Sequence, residues 1–207
     1  MVQTPESLPA RMYLLAYDLQ KEKVTGRSYL GYVLRAAALT ELFLDGRLEE
    51  EGRRPVIGTR GADPYGLLAQ IEASRPRPWH YWVRKDSRAM VRTVREELAR
   101  DGWIRVEKRR VLGIFPGHRV RVRDPRVVKT LWGGATAALR GRPVAHVNSY
   151  DAAAVALAAA AELKTVLSRR DRRLHRQRIK ELTARSGPAV PAVRKLIRQQ
   201  QAAAVGG

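Results

Sequence analysis

The sequence predicts a mainly α fold: a single compact helical domain with one protruding β-hairpin. Three observations predict it. Apolar residues recur at helical spacing through most of the chain, one stretch between residues 103 and 124 switches to strict alternation, and no internal linker divides the 207 residues. A chain of this length makes one domain or two small ones. The missing linker favours one, spanning residues 8–200, with flexible termini at 1–7 and 202–207.

Leu8-Pro9 followed by Met12, Leu14, Leu15 and Leu19 predicts a first helix over 8–19, with Pro9 in its opening turn. Lys21 to Gly26 is a polar turn. Residues 28–45 predict the most apolar helix of the N-terminal half, nearly surrounded by Leu30, Val33, Leu34, Leu39, Leu42 and Phe43, which is the mark of a buried helix. Gly46 is its C-cap, and Glu49–Arg54 a charged turn. Val56 and Ile57 read as extended. Leu67 to Ser74 predicts a short helix that Pro76 and Pro78 interrupt, and Trp79 to Lys85 starts another helical turn.

Residues 87–101 predict an amphipathic helix with Met90, Val91, Val94 and Leu98 as its apolar stripe. Arg119-Val120-Arg121-Val122-Arg123 then alternates with period two, and with Pro116-Gly117 in the middle the stretch 103–124 predicts the hairpin. Asp124-Pro125 opens a helix through Leu139. After a break at Gly141–Asn148, an alanine-rich helix is expected from Asp151 to Leu167, a basic one from Ser168 to Arg185, and a last amphipathic one from Val190 to Gln201.

The charge narrows the function. Forty Lys and Arg against twenty Asp and Glu leave a formal net charge of +20. Such a surplus repels itself and attracts polyanions, so nucleic acid and anionic lipid surfaces are the leading partner classes. Cysteine is absent, and His80, His118, His146 and His175 show no metal-ligand spacing, so neither a metal nor another cofactor is predicted. No nucleophile elbow, phosphate-binding glycine loop or dinucleotide fingerprint is present, and no enzyme is predicted. No apolar run reaches the length of a membrane span, and residues 1–9 lack the pattern of a secretory signal. The expected location is cytoplasmic, on the inner face of the membrane.

Four features carry the remaining signal. Arg35 is the only charge between Arg27 and Glu41, inside the helix that reads as buried, so it needs a partner. Either a carboxylate such as Glu41 or Glu72 supplies it, or Arg35 floors a pocket for an anion. Arg92 and Arg95, three apart, project from one helix face and suit a phosphate, unless they are a solvated face diluted by Glu96 and Glu97. The hairpin tip puts Leu112, Ile114 and Phe115 where polar residues are usual, between arginine-rich strands. That composition suits insertion into an anionic membrane interface, while the alternative is a tip packed on the core or on a second copy of the chain. The basic stretch Ser168–Arg185 reads as a solvated surface helix.

The chain resembles the Golgi phosphoprotein 3 family, particularly its bacterial members. The resemblance is carried by Tyr13-Leu-Leu-Ala-Tyr-Asp18, by Leu34-Arg35 through Glu41-Leu42 to Gly46-Arg47-Leu48, and by Val91-Arg92-Thr93-Val94-Arg95-Glu96 running to Asp101-Gly102-Trp103-Ile104. Val111 to Pro116, Arg123-Asp124-Pro125 and the basic stretch Arg169–Leu182 continue it. It covers roughly residues 8–200. It implies a helical domain with a protruding hairpin that recognises phosphatidylinositol 4-phosphate, with Arg35, Arg92 and Arg95 as the phosphate-binding set. Family members also act as adaptors for glycosyltransferase tails and can self-associate, here through the hairpin. One departure stands out: the tryptophan that flanks the family's headgroup falls near Gly26, where this chain has no aromatic, and Tyr29 and Tyr32 are the nearest replacements.

The expected function is therefore that of a peripheral membrane protein binding an anionic phospholipid headgroup. The alternative is a winged-helix-like nucleic-acid binder, with helix 87–101 and the basic hairpin as helix and wing. It ranks lower because a phosphate-contacting wing would carry a polar or cationic tip.

Overall fold

A computed structural model of the protein describes residues 2–111, 115–141 and 143–205; the side chains of 108–111, 115–117, 204 and 205 are not described. The fold is mainly helical, and its strands form three two-stranded antiparallel sheets. The centre is α2 (Leu30–Leu44), buried on every side as its composition predicts. Around it pack α1 (Leu8–Leu15), α4 (Trp79–Arg84), α5 (Ser87–Arg100), α7 (Ser149–Ala160) and α10 (Ala189–Val205). Gly46, at φ +68°, closes α2 in a left-handed cap, with the Arg47 N–H donating to the Leu42 carbonyl.

Side-chain caps set four of the other starts. Ser7 accepts from the Ala10 N–H at α1, and Asp124 accepts from the Arg126 N–H at α6 (Pro125–Arg140), where Pro125 occupies the first turn. Asn148 caps α7 through Tyr150 and Asp151.

Four expectations need correction. The first helix stops at Leu15, because Tyr17–Asp18 (β1) turns back to pair with Lys23–Val24 (β2). The segment 49–54 is not a turn alone. Leu48–Glu51 (β3) pairs with Arg54–Ile57 (β4) in register Glu51↔Arg54, leaving Gly52-Arg53 as a two-residue loop with positive φ at both positions. The alanine-rich helix ends at Ala160 instead of Leu167. Glu162, at φ +53°, takes the left-handed position usually held by glycine, and the Leu163 N–H donates to the Ala158 carbonyl. Ser168 and Asp171 then form a capping box that starts α8 (Arg169–Leu174), and the basic stretch continues as a separate α9 (Arg176–Arg185).

The hairpin falls where the alternation placed it, as β5 (Ile104–Val111) and β6 (Phe115–Val122) in register Ile104↔Val122. Its base is joined to the body. Val106, Val120 and Val122 pack on the core, and Glu22 in the β1–β2 turn meets Arg119 at 2.6 Å and Arg121 at 3.9 Å. The candidate membrane-inserting residues Leu112 and Ile114, and the side chain of Phe115, lie outside the described residues. α3 (Leu67–Glu72) packs against β4 and completes the surroundings of Arg35.

Candidate functional site

Arg35 is 3% exposed, near the middle of the central helix. Its Nε donates to the Trp82 carbonyl on α4 at 3.1 Å, and its Nη2 to Oε1 of Gln70 on α3 at 2.9 Å. Both acceptors are neutral. Neither carboxylate considered from the sequence reaches it: Glu41 is bound to Tyr150 and Leu8, and Glu72 pairs with Arg60 at 3.3 Å. Burial pulls the Arg35 guanidinium below its ordinary pKa, and the more distant charges of Asp86 and Asp63 oppose this. Among the described residues Nη1 has no hydrogen-bond partner, and the fully enclosed Trp82 Nε1 has no acceptor. The surroundings of Arg35 are short of acceptors, which is the condition an anion relieves.

A close crossing places α5 beside α2. A Cβ on Gly31 would lie 2.2 Å from the Ser87 carbonyl oxygen, so only glycine lets the first turns of the two helices touch there. Arg35 is one turn beyond Gly31 on the same face, and Arg92 a little over one turn beyond Ser87. Arg92 is exposed and touches Glu96 at only 4.0 Å. Arg95 is half-buried. It and Arg27 both act on the buried Tyr13, whose hydroxyl is nevertheless pushed up to about 12 by burial. Glu97, which the sequence offered as a diluting charge, faces inward and accepts from Ser7 Oγ at 2.9 Å and Tyr65 OH at 2.7 Å. At the start of α2, Tyr29 supplies no side-chain cap.

Gly26 explains the missing aromatic. It sits at φ +64°, and a Cβ there would lie 3.1 Å from Leu163 Cδ2. A tryptophan at this position would be strained in its backbone and crowded by α7's closing turn.

The sequence missed a polar network beside this region. Tyr150 OH donates to Glu41 Oε1 at 2.8 Å, the Leu8 N–H to Glu41 Oε2 at 3.3 Å, and Tyr65 links Glu97 to Ser7. Burial raises the Glu41 pKa above the usual carboxylate value, and burial with the nearby carboxylates raises both tyrosines. The network secures the start of α1 against α2 and α5. Its bonded pairs lie up to 109 residues apart, so no local spacing signals it.

Among the described residues no cluster of His, Asp and Glu could hold a metal ion, and no helix is long and apolar enough to cross a membrane. The family model of Golgi phosphoprotein 3 (GPP34) matches residues 8–200. No curated protein matches the chain.

Proposed function

Because the chain belongs to the Golgi phosphoprotein 3 family, we propose that it is a peripheral membrane protein that binds the headgroup of an anionic phospholipid, phosphatidylinositol 4-phosphate or a related phosphoinositide. Arg35 carries the reading. A largely buried guanidinium is held by two neutral acceptors, and its Nη1, which has no protein partner among the described residues, is not fully enclosed and would gain from a phosphate oxygen. The Gly31–Ser87 crossing supports a contribution from Arg92 and Arg95, because it joins the starts of the two helices that carry the three arginines. The uncapped N-terminus of α2 adds partial positive charge. In this reading Leu112, Ile114 and Phe115 enter the lipid interface, and the basic surface supplies long-range attraction of about 1 kcal/mol per Lys or Arg near an anionic leaflet. Association of copies through the hairpin belongs to the same proposal.

The test is vesicle flotation across a salt series, with phosphatidylinositol 4-phosphate or phosphatidylserine as the anionic lipid and a DNA-shift arm beside it. Arg35→Met and the pair Arg92→Ala with Arg95→Ala should abolish the preference for the phosphoinositide. Ile114→Ser with Phe115→Ser should weaken attachment even at high salt, because apolar insertion is less screened than charge. Lipid preference that survives the arginine changes, or DNA binding tighter than vesicle binding, overturns the assignment.

A further inference from the structure

Trp82 also helps to line a cavity. It has a volume of about 620 Å³ and lies between the β3–β4 hairpin and the segment joining α3 to α4. That is the size of a small-molecule site. Val56, Ile57, Ile71 and Trp82 give it an apolar wall, and Arg54, Arg75 and Arg77 carry positive charge around it. Two acids also line it. Glu72 is paired with Arg60, which leaves Glu51 as the one carboxylate there without an ion pair among the described residues. Arg77 stacks over Tyr81 at 5.2 Å, whereas the side chains of Arg54 and Arg75 are exposed and have no partner among the described residues. Apolar wall and unpaired cations are therefore found together in one concavity.

We propose that this cleft binds a small anionic amphiphile: a molecule with a single apolar chain or ring body and a phosphate or carboxylate head. The body would lie on the half-buried Val56 and Ile57, while Ile71 and Trp82 are buried. The head would meet Arg54 and Arg75, whose planar forks match its oxygens. The ligand is a free molecule, not a lipid held in a bilayer, because the cleft is bounded by β4 and the 73–78 segment and has room for one short apolar body. None of Arg35, Arg92 and Arg95 lines the cleft, and the two sites meet at Trp82, which lines the cleft and whose carbonyl accepts from Arg35 Nε.

Binding is read by isothermal titration calorimetry on the full chain, because Trp82 is 1% exposed and its ring is closed to an occupant. Octyl phosphate, below the concentration at which it forms micelles, should give a saturable heat. Octanol and inorganic phosphate should each bind at least about tenfold more weakly, because each has half of the recognised chemistry. Arg54→Glu with Arg75→Glu should weaken octyl phosphate by at least about tenfold, whereas the charge-matched control Arg169→Glu with Arg170→Glu, on exposed α8 positions, should not. Ile57→Asp should weaken it through the apolar wall. Equal affinity for octanol or for inorganic phosphate overturns the proposal. So does equal weakening by the α8 control, or displacement of octyl phosphate by phosphatidylcholine vesicles doped with phosphatidic acid, which would make the cleft a bilayer contact.

Discussion

Arg35 and Glu41 are the two charges of one buried helix, less than two turns apart, and the protein treats them in opposite ways. Glu41 receives a hydroxyl and a backbone N–H, one on each oxygen, and ties three helices together. Arg35 receives two neutral acceptors for five donors and joins no ion pair among the described residues. A buried charge that is satisfied internally acts as a structural tie. A buried charge that is under-satisfied is a structural liability, unless something from outside completes it. The same helix therefore carries one charge tied to two other helices and one held by neutral acceptors alone.

The largest effect expected from this contrast comes from removing each charge with an apolar residue of similar length. Glu41→Leu leaves the Tyr150 hydroxyl and the Leu8 N–H without their acceptor at a half-buried site, and should cost about 2–4 kcal/mol in urea unfolding. Arg35→Met also removes a desolvated charge, so its loss should stay within about 1–2 kcal/mol. Anion binding should divide the other way. Arg35→Met should abolish phosphoinositide preference in vesicle flotation, and Glu41→Leu, where folded, should keep it. Equal stability losses in the two variants would break the comparison.

A smaller effect tests the scaffold between the two helices. Alanine is about 1 kcal/mol better than glycine in a helix interior, so Gly31→Ala would stabilise α2 if space were free. The Cβ would instead meet the Ser87 carbonyl at 2.2 Å and force α5 away. A net destabilisation of about 1–3 kcal/mol is expected, as for other overpacked sites. Weakened lipid binding with Arg35, Arg92 and Arg95 all intact should accompany it. A Gly31→Ala protein that is more stable and binds normally would show that the crossing does not position the arginines.

The sequence made one half of this contrast visible. Arg35 stands out because no other charge interrupts the apolar run from Leu30 to Thr40. Its partners do not stand out, since one is a backbone carbonyl and the other a neutral amide, 47 and 35 residues away. Neutral acceptors leave no charge pattern to read, and a search for a carboxylate partner looks in the wrong place. Glu41 is hidden for the converse reason: beside Asp45 and close to Arg47 it looks like an ordinary surface acid at a helix end. The fold shows the same division. Periodicity placed α2, α5 and the long hairpin, whereas β3–β4 was obscured because Glu49-Glu50-Glu51 does not alternate and its tight turn is Gly-Arg instead of Asn-Gly. The end of α7 was obscured because Glu162 holds a position where glycine is the usual signal.

The smallest effect is a difference in how the two charges respond to pH. Burial lowers the Arg35 pKa from its ordinary value, but an arginine stays protonated through the working range and contributes no slope there. Glu41 is different, because burial raises its pKa above 4.5 in the folded state. Between the unfolded and folded values the folded protein binds more protons than the unfolded one, so stability falls as pH rises through that window. The penalty is absent below about 4.5 and complete once pH passes the raised value. Asp151, raised by burial as well, adds to the same limb. Asp171 has the opposite sign. Its bonds from Ser168 and Arg140 hold it at about 2 instead of 3.8, so its contribution is present above 3.8 and is lost as pH falls towards 2. Urea midpoints measured from pH 2 to pH 8 should therefore rise from the acid end and then decline gently above pH 4.5, with Asp171→Asn reducing the first limb. Glu41→Gln should flatten the second, and Arg35→Met should change neither. A decline that persists unchanged in Glu41→Gln with Asp151→Asn would mean that Glu41 is as well solvated as a surface acid, and the contrast with Arg35 would lose its physical basis.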